Sequence, residues 1–186
     1  MIKVLSSCFI FLVVACATPN PVKITAPAIS FLPSNYDVGA DKACKPIING
    51  YQEILKGLMA NDSAYIFTTS RTLIQLTDSL IQNQLQDSLQ LKPFYMGISN
   101  VNAELQGLLA AEDIYEMRLS VNMLSLQLLH MLGEIGFKEN KVYIFTVPDE
   151  EITDGLNWLS LQKKMRDPYH PNNKKEIKAD QVLQDF

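Results

Sequence analysis

The chain has 186 residues, 47% of them hydrophobic, and it carries a formal net charge of −4. This acidic balance argues against nucleic acid as a partner, because surfaces that bind nucleic acid are rich in Lys and Arg. For the same reason the composition predicts no basic patch for anionic lipid. The length is sufficient for one ordinary domain with a sizeable hydrophobic core.

Residues 1–15 have the pattern of an export signal. Lys3 supplies a positive start, and an uncharged, apolar run follows it, shorter than the roughly 20 residues that cross a bilayer. The run ends in Val13-Val14-Ala15-Cys16, which resembles the lipobox of bacterial lipoproteins. The resemblance implies cleavage after Ala15 and attachment of a diacylglycerol to the Cys16 thiol. The alternative is an ordinary signal peptide in which Cys16 is incidental.

The membrane is therefore a predicted partner, reached through a lipid anchor at Cys16. Several acyl chains on one residue anchor stably where a single chain does not. Ala17, rather than Asp, follows the cysteine, and by resemblance to lipoproteins of Gram-negative bacteria this implies the outer membrane, facing the periplasm. Residues 16–42 contain several prolines and no apolar period, which predicts a flexible tether between the lipid and a folded domain.

The cysteines point to a fold without an intramolecular disulfide. Cys8 leaves with the signal and Cys16 carries the lipid, so Cys44 is the one remaining thiol of the mature chain. A single thiol has no intramolecular partner. The hydrophobic core alone must therefore hold the domain together.

Apolar residues recur at three- and four-residue spacing in four stretches, which predicts four amphipathic helices. The stretches cover residues 48–59, 65–80, 94–108 and 114–135, and the first helix is expected to begin near Pro46. Four helices of similar length with short connectors predict a mainly α domain at residues 43–182, an antiparallel four-helix bundle with a short C-terminal β element.

Residues 142–147 carry the one convincing strand signal, a run of β-branched and aromatic side chains. The strand is expected either to pair with a short piece near Trp158 or to lie across the bundle. Residues 172–186 are charged and show no clear period, and residues 183–186 are interpreted as a C-terminal tail.

A set of weak motifs carries a resemblance to a known family. In chain order they are Asp62, Arg118, Val121, Leu124-Ser125, the strand ending at Pro148, Trp158-Leu159-Ser160 and Pro168-Tyr169. Their order and spacing resemble the uncharacterised helical domain of Bacteroidetes envelope lipoproteins and of copper or heavy-metal efflux adaptors. The resemblance covers nearly the whole domain, and it implies a helical bundle with a C-terminal β element in a metal-linked setting.

The sulfur ligands usual in that family are missing from this chain. Where the family has a Cys-Pro-Met triplet after the strand, this sequence has Val147-Pro148-Asp149. The family's late Cys corresponds to Ala179. Thiolate and thioether are the ligands that copper(I) prefers, so the family's metal chemistry is not carried over in that form.

Two histidines remain as candidate metal ligands. His130 lies seven residues after Met123 on the fourth predicted helix, and His170 lies in a predicted surface turn between Tyr169 and Pro171. The ordinary interpretation of each is a boundary or solvated histidine. No cofactor is therefore expected, and copper or zinc bound at His130 and His170 is the alternative.

The sequence contains none of the common catalytic signatures, neither a Gly-Xaa-Ser-Xaa-Gly elbow, nor a His-Glu-Xaa-Xaa-His helix, nor a phosphate-binding glycine loop. The domain is accordingly predicted not to be an enzyme. Trp158, Pro168 and Tyr169 are expected to cover the end of the bundle. As an alternative interpretation, these three residues form an interaction surface.

Two hypotheses about function follow from these patterns. The first is a non-catalytic lipoprotein that acts as an accessory or interaction module for another envelope protein. The second is a periplasmic module that binds copper or another heavy metal and serves cation efflux.

Overall fold

The computed structural model describes residues 38–84, 92–152 and 154–183. The predicted signal, the lipidation site at Cys16 and most of the predicted tether lie outside these ranges. So do the last three residues of the predicted tail. The described part is mainly α, with four helices followed by five short strands.

The four helices are α1 (Val38–Ala60), α2 (Ser63–Gln84), α3 (Lys92–Ala110) and α4 (Ile114–Glu134). The apolar spacing predicted each of them. The residues that define the period are largely buried, as in α3, where the predicted positions are all buried: Phe94, Ile98, Val101, Leu105 and Leu108. Packing of these apolar faces stabilises the helices more than intrinsic propensity does.

Side-chain caps set the helix boundaries. Asp62 opens α2 by accepting the Tyr65 amide at 2.9 Å. Asp113 opens α4 in the same way, accepting the Glu116 amide at 2.9 Å, while the Glu116 carboxylate accepts the Glu112 amide at 2.7 Å. This reciprocal arrangement satisfies amides that have no partner within the helix.

The start of α1 corrects the sequence prediction. Pro46 lies inside the helix, and the expectation that the helix begins near it is wrong. Residues 38–42 belong to α1 rather than to the tether. Proline removes one hydrogen bond from a helix, but buried Cys44 and Ile47 on either side of Pro46 supply the packing that keeps the helix continuous.

The helices contact one another in chain order, and α1 also contacts α4. Gly97 of α3 is one point of close approach, because a Cβ there would lie 2.8 Å from Cβ of Met131 in α4. Of the helices that the structure describes, none is both long enough and apolar enough to cross a membrane.

The strands are β1 (Tyr143–Val147), β2 (Leu156–Ser160), β3 (Lys164–Arg166), β4 (Glu176–Lys178) and β5 (Gln181–Val182). They form an antiparallel sheet in the order β2-β1-β5 and a separate hairpin of β3 with β4. The predicted strand is confirmed as β1, and of its two expected arrangements the pairing near Trp158 is the one observed, with Phe145 opposite Trp158. The closing segment is more structured than its lack of period suggested, since β4 and β5 lie within it.

Two glycines provide a test of the backbone conformation and of the space around it. Gly155 has φ +72°, and a Cβ there would collide with the Val147 carbonyl oxygen, whereas Gly107 has no atom within 4 Å of an added Cβ. We expect Gly155→Ala to lower the free energy of unfolding by about 2 kcal/mol or more. Gly107→Ala, in a helix interior, should raise it by roughly 0.5–1 kcal/mol. Urea denaturation measures both, and equal effects of the two substitutions would contradict the geometry.

Candidate functional site

The margin of β2, by which we mean the strand edge that does not pair with β1, is the most unusual polar feature of the structure. Every residue of β2 is buried, and β1 is the strand that pairs with it in the described sheet. On the opposite edge the backbone groups of Asn157 and Leu159 face the helices rather than water. Buried amide and carbonyl groups need partners, so side chains must take the place of a neighbouring strand.

Asn157 obtains both of its edge partners from side chains. Its amide donates to Oδ1 of Asn122 in α4 at 2.7 Å, and its carbonyl accepts the Tyr169 hydroxyl at 2.5 Å. Its own side-chain Oδ1 accepts the Thr146 hydroxyl at 2.9 Å. Asn157 therefore joins α4, β1 and the turn that carries Tyr169.

Leu159 is held in the same way by α1. Its amide donates to the Tyr51 hydroxyl oxygen at 3.1 Å, and its carbonyl accepts Nε2 of Gln52 at 2.9 Å. Tyr51 and Gln52 are adjacent in sequence, so a single turn of α1 satisfies both backbone groups of one β2 residue.

Tyr51 and Ser125 extend these bonds into a network, and the direction of each hydroxyl bond follows from the partners available to it. The Ser125 hydroxyl donates to the Val121 carbonyl at 2.7 Å, so its oxygen accepts the Tyr51 hydroxyl proton at 2.6 Å. The Tyr51 oxygen then accepts the Leu159 amide. Burial raises the pKa of Tyr51 and of Tyr169 well above the usual value, which keeps both hydroxyl groups protonated and able to donate.

Trp158, Pro168 and Tyr169 do not form an interaction surface, and that interpretation is wrong. Trp158 is fully buried, Tyr169 is 1% exposed and Pro168 is buried. The Trp158 ring stacks on Phe145 at a centroid distance of 5.0 Å and meets Tyr169 edge-on at 5.9 Å. These residues are the core between the sheet and the C-terminal turn.

His170 and His130 lie on different elements. In the turn after β3, Oδ2 of buried Asp167 lies 2.8 Å from Nδ1 of His170, while Oδ1 accepts the Tyr169 amide at 2.8 Å. This arrangement fixes the turn that presents Tyr169. On α4, Nδ1 of His130 lies 3.5 Å from Oε1 of Glu134. Both imidazoles are exposed.

The ligands predicted for copper or zinc do not converge in the structure. Within residues 38–84, 92–152 and 154–183, no group of three or more His, Cys, Asp or Glu side chains has the geometry to hold a metal ion. Metal binding at His130 or His170 remains a prediction from the sequence.

An open groove of about 280 Å³ lies between α1 and α2. Gly50 permits α1 and α2 to pack closely beside the groove, since a Cβ at this position would lie 2.8 Å from Cδ1 of Leu73. Among the residues that line the groove, the titratable one is Glu53, which already binds Lys56 at 2.6 Å and the Tyr65 hydroxyl at 2.7 Å. The groove thus brings together no pair of groups suited to acid–base chemistry.

The charge distribution corrects another expectation from the sequence. Residues 163–178, which we call the basic hairpin, contain β3 and β4 and carry six Lys and Arg residues against two acidic ones. The expectation that the chain has no basic patch is therefore wrong. It rested on the net charge of the whole chain, which conceals a local excess of positive charge.

Sequence reasoning also missed the four side chains that hold the margin of β2, which are Tyr51, Gln52, Asn122 and Tyr169. Tyr51 falls on the apolar face predicted for the first helix, and that pattern carries no signal for its hydroxyl. The available signal was a pair of polar residues, Asn122 and Ser125, on the inward face of α4. Such residues need buried partners.

Comparison of the chain with models of known protein families, with curated proteins and with solved structures gives no match in any of the three.

The network makes a direct prediction for Tyr51. Tyr51→Phe leaves the buried Leu159 amide without an acceptor, so it should lower the free energy of unfolding by about 1–3 kcal/mol. The matched control is Tyr115→Phe, because the Tyr115 ring is exposed and its hydroxyl donates to Glu151 at the surface. The control should change stability by less than about 0.5 kcal/mol. Chemical denaturation of the two variants gives the comparison, and equal effects would rule out the proposed role of Tyr51.

Proposed function

We propose that the chain is a lipoprotein anchored in a bacterial envelope through Cys16, and that its domain is a non-catalytic accessory module for another envelope component. The observation that carries the anchor is the sequence Val13-Val14-Ala15-Cys16 after an uncharged apolar run. Residues 17–37 separate the cysteine from α1, a length of chain that spans at most about 75 Å when fully extended. In this proposal the domain works within that distance of the membrane.

The proposal includes an antiparallel four-helix bundle. Three contacts between neighbouring helices support it. Asp78 of α2 accepts the Asn102 side chain of α3 at 2.7 Å. The Tyr65 hydroxyl near the start of α2 donates to Glu53 near the end of α1 at 2.7 Å. Contact between α1 and α4 closes the ring.

The use of the buried polar groups supports a non-catalytic role. The Tyr51–Ser125 pair resembles an activated hydroxyl, and the Asp167–His170 pair resembles an oriented base. In the structure, however, Tyr51 is fully buried and accepts a backbone amide of β2. Asp167 is bonded to the amides of its own turn. The Tyr51–Ser125 pair holds the sheet against the helices, and the Asp167–His170 pair fixes its own turn, which together give a rigid domain suited to display.

Lipid attachment is tested by labelling growing bacterial cells with a fatty acid that carries a detectable group. We expect the wild-type chain to take up the label and to partition into detergent, because its acyl chains are apolar. Cys16→Ser should lose both properties. Cys8→Ser is the matched control and should keep both, since Cys8 lies inside the predicted signal. Labelling that survives Cys16→Ser would overturn the proposal.

A further inference from the structure

The basic hairpin exposes lysines that the fold itself does not use. Five of its lysines are exposed, and they are Lys163, Lys164, Lys174, Lys175 and Lys178. In the part of the chain that the structure describes, none of the five forms an ion pair. Unpaired lysines at this density produce a local positive potential that attracts anions.

At the base of the hairpin the register places like charges opposite each other, while Arg166 lies opposite Glu176 at the other end of the strands. Lys164 pairs with Lys178 across the two strands, an arrangement that destabilises a β ribbon. The next pair along the strands, Met165 and Ile177, is partly buried and packs against the core. Because side chains alternate along a strand, the two lysines point away from the core. An anion bound between them would relieve their repulsion.

The base of the hairpin lies alongside β1, on the side where β5 pairs with it. The Ala179 amide donates to the Lys163 carbonyl at 3.1 Å, and the Asp180 amide donates to the Ile144 carbonyl at 2.9 Å. The Thr146 amide also donates to Oδ2 of Asp180 at 2.8 Å, so the residues between β4 and β5 lie along β1 from Ile144 to Thr146, and Lys163 lies beside them. The start of β1 itself follows directly from the loop in which Glu139 pairs with Lys45 of α1 at 3.0 Å.

The start of β1 lies at the end of the domain that leads to the tether. From Lys45, α1 runs back to Val38, a distance of about 10 Å at the rise of an α-helix, and the tether precedes it. The opposite end of β1 leads into an acidic loop that includes Asp149 and Glu151, and Glu151 accepts the Tyr115 hydroxyl from the first turn of α4. The base of the hairpin therefore lies along β1, between the end that leads to the tether and the end that carries the acidic loop.

We propose that the basic hairpin docks on the anionic phosphate headgroups of the bilayer in which the chain is anchored. This inference rests on the proposed lipid anchor. The anchor supplies proximity, and the lysines supply the positive charge that meets the headgroups. A lipid chain combined with a basic patch is a known route to stable membrane attachment, and each basic residue near an anionic surface adds to the affinity.

The experiment measures vesicle binding without the lipid. A chain that begins at residue 16 and carries Cys16→Ser retains every described helix and strand. It is mixed with vesicles made of equal parts phosphatidylcholine and phosphatidylglycerol, or of phosphatidylcholine alone. We expect binding to the anionic vesicles only, with loss at high salt because exposed charges are screened. Equal binding to both kinds of vesicle, or no binding to either, overturns the proposal.

Charge reversal identifies the surface. Lys164→Glu should weaken binding to the anionic vesicles by about tenfold or more, while the melting temperature stays equal or rises because the new carboxylate faces Lys178. Arg71→Glu is the matched control, an equal charge change at an exposed position on α2, and should leave binding within about twofold. Equal losses in the two variants overturn the assignment to the hairpin.

A second variant and the labelling experiment keep the outcomes separate. Lys174 lies in the loop between β3 and β4, away from the paired strands. Lys174→Glu should also weaken binding to the anionic vesicles, and it replaces Lys164→Glu in the test if that variant fails to fold. Because the vesicle experiment uses a chain without lipid, its result does not depend on Cys16. A wild-type chain that takes up no fatty-acid label, with vesicle binding retained, would contradict the anchor alone. A labelled wild-type chain whose lipid-free form does not bind anionic vesicles would contradict the hairpin alone.

Discussion

The margin of β2 is a buried strand edge without a strand beside it, and its backbone groups must still be hydrogen-bonded. The helices provide three of the four partners, and Tyr169 in the turn after β3 provides the fourth. Tyr51 and Gln52 of α1 hold Leu159, and Asn122 of α4 holds Asn157. Because these bonds run from side chain to backbone, they fix the position of the strand whatever its own sequence. The sheet and the helices consequently form a single core.

Local patterns predicted the parts of the fold that depend on local sequence. The apolar period predicted the four helices, and the β-branched run at residues 142–147 predicted β1. What the sequence did not reveal depends on contacts between distant residues. Pairing of β5 with β1 joins segments almost forty residues apart, and the Tyr51 hydroxyl meets the Leu159 amide 108 residues away. Neither contact leaves a periodic signal in one short window.

Charge shows the same difference between local and global properties. The net charge of −4 describes the whole chain, whereas a membrane surface interacts with the charges within a Debye length, about 8–10 Å at ordinary salt. The basic hairpin concentrates its lysines on one short ribbon, and its register brings Lys164 and Lys178 together. In the proposed arrangement the cost of this repulsion is retained because an anionic surface offsets it, and the anchor and the hairpin act on the same membrane.

Hydrogen exchange of two backbone amides tests the central claim most directly. If side chains hold the margin of β2, the amides of Asn157 and Leu159 should exchange as slowly as that of Trp158, since all three are then buried and bonded. The same slow exchange is expected in the chain without lipid, because the network lies wholly within the domain. Exchange at Asn157 and Leu159 as fast as at exposed Asn172 would show that the edge is open, and it would contradict the account.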